Sequence, residues 1–205
     1  LLQHHNFTAD DTAIYMGCTE VKIPLSSPVL AVSIHIHPKY NNPNGLNYNN
    51  DIALIKLRDT IIFNSTVMPI CLPAIDATYV TGMIGLVSGF TIRENDNQQT
   101  FTNKLKYVHL LVVKQKKCTK SVKKMRTGNL PSVTNNMFCV GVPEGGKDSC
   151  HGDSGSPLAL KDNRRQFWAA GIVSWVVDFF PFELLTSYLT SEQRWVEKWT
   201  SRTGG

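Results

Sequence analysis

What most constrains this chain is the rhythm of its apolar residues: short runs, several of them alternating, each cut off by turn residues before it reaches helical length. Val29 to Ile36, Asp51 to Leu57, Met83 to Val87, Lys106 to Val113, Ser156 to Leu160 and Trp168 to Val177 follow this rhythm. Asn41-Asn42-Pro43-Asn44-Gly45 and Glu94 to Asn97 are among the stretches that break it. A period of two puts successive side chains on opposite faces, so the runs predict strands. Many short strands with such punctuation predict an all-β sandwich or pair of barrels rather than alternating strands and helices. Helices are expected only at the margins, around Cys118 to Met125 and in the tail. In the tail, Thr190-x-x-Gln193 is a capping-box pattern, and Trp195, Val196 and Trp199 share one helical face.

Several function classes are excluded early. The longest uncharged apolar run, Trp168 to Val177, ends at Asp178 after ten residues, short of the roughly 18 needed to span a bilayer. No membrane partner is expected. The opening Leu1-Leu2-Gln3-His4-His5 has neither the charged nor the apolar region of a signal peptide, so a secretory signal is expected outside it. The net charge of +5 is local: positions 114 to 126 hold seven positive charges and no acid, which leaves the remainder at −2. Such a patch is either a solvated face or an exosite for a polyanion or acidic protein. No nucleic-acid fold signature accompanies it, so no nucleic-acid partner is expected.

The cysteines Cys18, Cys71, Cys118, Cys139 and Cys150 are widely spaced, with no CxxC pair. A zinc site is not expected from that spacing. The sequons Asn6-Phe7-Thr8 and Asn64-Ser65-Thr66 fit a secreted, extracellular glycoprotein, in which the cysteines read as disulfide halves. An odd number leaves at least one thiol free or bonded to another chain. His35 and His37 form an i, i+2 pair on one strand face, but no acid or third ligand lies nearby in sequence. No metal or cofactor is expected.

The stretch Lys147 to Pro157 carries the chemistry. In Gly152-Asp153-Ser154-Gly155 the flanking glycines allow a tight turn that presents the serine hydroxyl. The amides of Gly152 and Ser154 can then point at one spot and form an oxyanion hole; otherwise the stretch is an ordinary turn. A nucleophilic serine needs a base, and the base needs a carboxylate to hold its tautomer. Asp51, at the head of an apolar strand, either caps that strand or accepts from an imidazole. Six histidines compete for the role of base.

The segments Asp51 to Leu57, Met68-Pro69-Ile70-Cys71-Leu72-Pro73, Val87-Ser88-Gly89-Phe90, Asn136-Met137-Phe138-Cys139, Gly152-Asp153-Ser154-Gly155 and Gly171-Ile172-Val173-Ser174-Trp175 resemble the chymotrypsin (trypsin-like) family of serine endopeptidases, in the family's order. Within it, residues 145 to 150 and Leu105-Lys106-Tyr107-Val108 are similar to the complement-initiating proteases, including those associated with mannan-binding lectin. The resemblance implies two six-stranded antiparallel β-barrels with the active site between them and a C-terminal α-helix. The first barrel is expected to be partial over 1–95, with the second barrel and the helix over 96–205. It implies Ser154 as nucleophile, His5 as base ahead of His4, Asp51 as orienting acid, and Gly152 with Ser154 as oxyanion donors. Asp148 matches the acid that selects Lys or Arg, and Ser174, Trp175 and Val176 match the substrate-binding segment. Cys118 and Cys139 are expected to pair, and Cys71 to tether an upstream chain. The implied partner is a protein substrate, cleaved after Lys or Arg in an innate-immune setting.

Several departures accompany the resemblance. The small residues that normally flank the catalytic histidine are missing around His5. No new amino terminus is present to pair with Asp153, so the chain is expected to be a piece of a longer zymogen. Val176 stands where the family has glycine and narrows the pocket mouth, while Leu184 can fill its wall. Cys150 lacks its usual partner. These departures leave open a catalytically silent, protease-like binding module. His151 is expected to line the cleft.

Overall fold

The computed structural model describes residues 7–21, 27–41, 48–74, 77–90, 92–93, 100–101, 103–124, 131–141, 153–179, 182–188 and 195–197. Strands dominate. In chain order they are β1 (Ala13–Ile14), β2 (Val29–Ile36), β3 (Ala53–Leu57), β4 (Ile84–Gly89), β5 (Ile92–Arg93), β6 (Thr100–Phe101) and β7 (Lys106–Val112). Helix α1 (Gln115–Lys124) follows, then β8 (Met137–Gly141), β9 (Pro157–Lys161), β10 (Phe167–Phe179) and β11 (Phe182–Tyr188). Each apolar run singled out in the sequence becomes a strand.

The first lobe is an antiparallel sheet in the order β1-β2-β3. Along β2 the side chains alternate as a half-buried strand requires: Ala31 is buried, while Leu30 and Val32 face the other way and are exposed. The second lobe is a closed barrel in the order β10-β11-β8-β7-β4-β9. Its strand β4 lies upstream of the division expected between residues 95 and 96.

The barrel closes because its interior positions are filled by side chains from every quarter of the circle. Val87 of β4, Leu110 and Val112 of β7, Phe138 and Val140 of β8, Leu158 and Leu160 of β9, and Ala170 and Val173 of β10 form one buried cluster. Tyr79 leans on Phe138 with ring centroids 5.5 Å apart. The 13-residue β10 could not follow so tight a barrel as a regular strand. Its register shifts between Ala169 and Gly171, and again between Val173 and Trp175, and such bulges bend a strand and raise its twist. At Gly85 a Cβ would come 2.6 Å from Leu158 Cδ1, so the buried Leu158 side chain packs over the glycine and would have to shift to admit a larger residue.

Helix α1 caps one side of the barrel. Cys118 and Val122 are buried against Met137, Cys139 and Trp175, and Gln115 Nε2 donates to the Met137 carbonyl at 2.8 Å. Cys118 and Cys139 are joined as a disulfide, bonding the helix to β8. Residues 195–197 are helical, in the tail where a helix was expected. Val196 is buried there against Ile52 and Ala169.

Because Phe138 is 1% exposed within the barrel cluster, Phe138→Ala should cost about 3–5 kcal/mol. Urea unfolding of the two proteins, with the slope unchanged and the midpoint lowered, measures this directly.

Candidate active site

Strand β10 is covered on both faces, which places its residues at the junction of the lobes. Ala170 and Val173 point into the barrel. Ala169 and Ile172 meet Ile52 and Leu54 of the first lobe. Three residues beyond Ile172, Trp175 is buried and lies nearly parallel to Tyr48, with centroids 6.0 Å apart. Apolar contacts therefore grip the segment 48–54 from both sides, and Asp51 falls between them.

The backbone around Asp51 is held by polar contacts as well. Ile52 N–H donates to the Asn50 carbonyl at 2.9 Å, a three-residue turn with Asp51 at its centre. Asn50 adopts φ 57°, a left-handed conformation that asparagine tolerates better than most residues. Its side chain donates to the Lys39 carbonyl at 3.3 Å and accepts from Asn136 Nδ2 at 3.0 Å. Asn49 Oδ1 accepts from Thr134 Oγ1 at 2.7 Å. The loop before β8 thus clamps the turn that carries Asp51.

With the turn clamped, the half-buried Asp51 carboxylate accepts a 2.6 Å hydrogen bond from Ser174 Oγ. A hydroxyl donating to a carboxylate at this length is a charge-assisted bond, roughly twice as strong as a neutral one. It links two residues 123 positions apart, one on each lobe. The sequence pointed to Ser174 only as part of a backbone-pairing segment. Its side-chain role, and the clamp formed by Asn49 and Asn50, were missed. The run of asparagines ahead of Asp51 was the available signal, since such residues favour turns and left-handed backbone.

Ser154 sits at the tip of a second turn docked on the same strand. Ser156 N–H donates to the Asp153 carbonyl at 3.0 Å, and Gly155 has φ 89°, the third-position geometry of a type II turn, which favours glycine. Gly155 N–H donates to the Val173 carbonyl at 2.8 Å, and Val173 N–H to the Ser156 carbonyl at 2.9 Å. The turn is therefore fastened to the residue immediately before Ser174, and Ser154 itself is exposed. Asp153 is 6% exposed, and its carboxylate lies where a Cβ at Gly89 would stand. The glycine in Val87-Ser88-Gly89 makes room for that acid.

His4, His5, Asp148, Cys150, His151 and Gly152 lie outside the described residues. Val176 pairs with Leu184 across β10 and β11. Cys18 is exposed and Cys71 half-buried, and neither forms a disulfide among the described residues. The backbone of Cys71 docks beside β10, donating to the Phe167 carbonyl and accepting from Ala169 N–H. His35 Nε2 lies 2.7 Å from Ser33 Oγ. His37 is buried with its edge on Trp195, ring centroids 4.8 Å apart, and its Nδ1 accepts from Lys39 N–H at 3.2 Å. Among the described residues no cluster of three His, Cys, Asp or Glu side chains could hold a metal ion.

The Ser174–Asp51 bond is testable by a double-mutant cycle with Ser174→Ala and Asp51→Asn. Hydrogen bonds to charged groups contribute about 1.5–3 kcal/mol, and a coupling of that size is the expected outcome. A coupling near zero would show that the bond contributes nothing. Burial first, and the Lys39 charge second, hold His37 below the usual histidine value of 6.5. The unfolded chain then takes up a proton at a higher pH than the folded one. Stability contributed by neutral His37 is thus fully present above about pH 6.5 and is lost as pH falls through the lower folded value. Thermal midpoints should decline below that pH, and His37→Phe should flatten the decline. His35, held down by burial and then Lys56, adds to the slope in the same direction.

A family model described as trypsin matches residues 5–179. The chain is 34% identical over 181 residues to the complement C1r-A subcomponent of Mus musculus, covering 84% of this chain and 24% of that protein. It is 36% identical over 184 residues to haptoglobin of Oryctolagus cuniculus, covering 82% and 48% respectively. It is 37% identical over 141 residues to the complement C1r subcomponent-like protein of Homo sapiens, covering 68% and 28%. The chain thus spans from about a quarter to about half the length of these relatives. Taken with the closed β-barrel and its partner sheet, the match over residues 5–179 shows that the chain belongs to the trypsin family of serine protease domains.

Proposed function

We propose that this domain cleaves peptide bonds by acyl transfer, as the catalytic piece of a longer secreted zymogen. In this reading Ser154 Oγ attacks the scissile carbonyl while His5 takes its proton, and Asp51 holds the imidazole in the correct tautomer. The N–H groups of Gly152 and Ser154 bind the oxyanion. The imidazolium then protonates the leaving amine, and a water hydrolyses the acyl-enzyme by the reverse path. Asp148 attracts the Lys or Arg side chain of the substrate by charge pairing. The observation that carries the reading is the 2.6 Å bond from Ser174 Oγ to Asp51. It orients a half-buried carboxylate next to the strand on which the Ser154 turn is fastened.

A secretory route is supported by the Cys118–Cys139 disulfide, which persists in oxidising compartments. It is supported further by the exposed sequon at Asn64, whose Oδ1 accepts from Thr66 N–H at 2.8 Å. No helix among the described residues is long and apolar enough to cross a membrane. A complement-type setting rests on the similarity to the C1r-A subcomponent, and the upstream chain would be tethered through Cys71.

A silent, binding-only version of the same fold is the second reading. The observation that favours it is the register of β10 and β11, which sets Val176, found where the family has glycine, opposite Leu184.

Labelling of the activated parent protein by a lysyl phosphonate separates the two. An adduct on Ser154 that is abolished by Ser154→Ala is the expected result. His5→Ala should slow labelling by at least about a thousandfold, and Asp148→Ser should remove the preference for Lys and Arg esters. Absence of any adduct at Ser154 rejects the hydrolytic reading, and labelling that survives His5→Ala transfers the role of base to another histidine.

A further inference from the structure

We propose that the outer face of helix α1 is an exosite for a sulfated polysaccharide. At 100° per residue, Lys116, Lys117, Lys120, Lys123 and Lys124 fall within an arc of about 120°, centred opposite the buried Cys118 and Val122. All five are exposed, as is Lys114 just ahead of the helix. The helix sequence itself, Gln115–Lys124, contains no acidic residue. Lys116 and Lys120, and Lys120 and Lys124, stand at i, i+4, where like charges destabilise a helix. A polyanion bound along these pairs would offset their repulsion. The lysines recur along about 12 Å of helix axis, a linear ladder of point charges suited to an extended chain of anions.

The surroundings of the ladder decide which polyanion fits. A depression of about 490 Å³ runs beside it, lined by Gln115, Lys116, Thr119, Lys120, Lys123 and Lys124. Thr119 adds a hydroxyl to this lining, a group able to donate to a sulfate oxygen. Exposed aromatic or aliphatic side chains are absent from this face of α1, whereas protein interfaces are built on such anchors and are depleted in lysine. An acidic protein would therefore lack a hot spot here. The disulfide that pins Cys118 to β8 fits the secretory route proposed above, on which this choice rests, and in that setting the polyanion is a sulfated glycan rather than nucleic acid. The bond also holds the helix on the barrel, so the lysine spacing is set before any ligand arrives.

Binding of a size-defined heparin oligosaccharide to the folded chain, measured by titration at several salt concentrations, tests this. Affinity should fall steeply as salt rises. The variant Lys116→Gln/Lys120→Gln/Lys123→Gln should bind at least about tenfold more weakly, with an unchanged or higher thermal midpoint because repulsion has been removed. The variant Lys56→Gln/Arg58→Gln/Arg164→Gln removes the same charge elsewhere and should stay within about twofold of the parent. No binding overturns the proposal, and so does an equal loss in both variants, which would mean general charge attraction. Polyglutamate of matched charge binding as tightly as heparin also overturns it, in favour of an acidic protein.

Discussion

The structure depends on one strand being shared by two packing problems. β10 closes the barrel by pairing with β9 and β11, and with its other face it covers the first lobe through Ala169 and Ile172. A strand buried on both sides has no polar face left to spend on solvent, and its run from Ala169 to Trp175 is accordingly almost wholly apolar. The exception is Ser174, 8% exposed. A buried hydroxyl has to find a partner, and the one it finds is the carboxylate of Asp51. The junction of the lobes is thereby also the place where a charged group is oriented.

The same junction explains why the polar clamp is so elaborate. A carboxylate can be held between two lobes only if the backbone carrying it cannot drift. Asn50 in its left-handed conformation, tied to Lys39 on one lobe and Asn136 on the other, removes that freedom. The turn bearing Ser154 is fastened by two backbone hydrogen bonds to Val173. Both parts of the candidate site therefore hang from adjacent residues of one strand.

Much of the fold was legible beforehand because local pattern and global packing agree. The strands β2, β3, β4, β7, β9 and β10 lie where the short apolar runs are, since a two-residue period has few uses other than a pleated strand. Helix α1 (Gln115–Lys124) overlaps the Cys118 to Met125 stretch where a helix was expected, and its buried residues Cys118 and Val122 stand one turn apart. The bulges of β10 were not legible, because they answer the curvature of a closed barrel rather than any local preference. The division between the lobes was equally obscure, since β4 pairs with β7 and β9 and only those long-range partners assign it to the barrel.

By itself, the sequence determined the inventory: which stretches extend, which turn requires Gly155, and which helix collects the lysines. These follow from steric preference and periodicity, properties that a residue carries together with its near neighbours. Only the tertiary structure decided that Ser174 donates to Asp51 across 123 positions, that Gly89 clears space for the Asp153 carboxylate, and that Trp175 lies against Tyr48. Contacts of this kind exist only after the barrel has closed and the first sheet has docked on β10, because nothing within a short window of chain can bring such partners together.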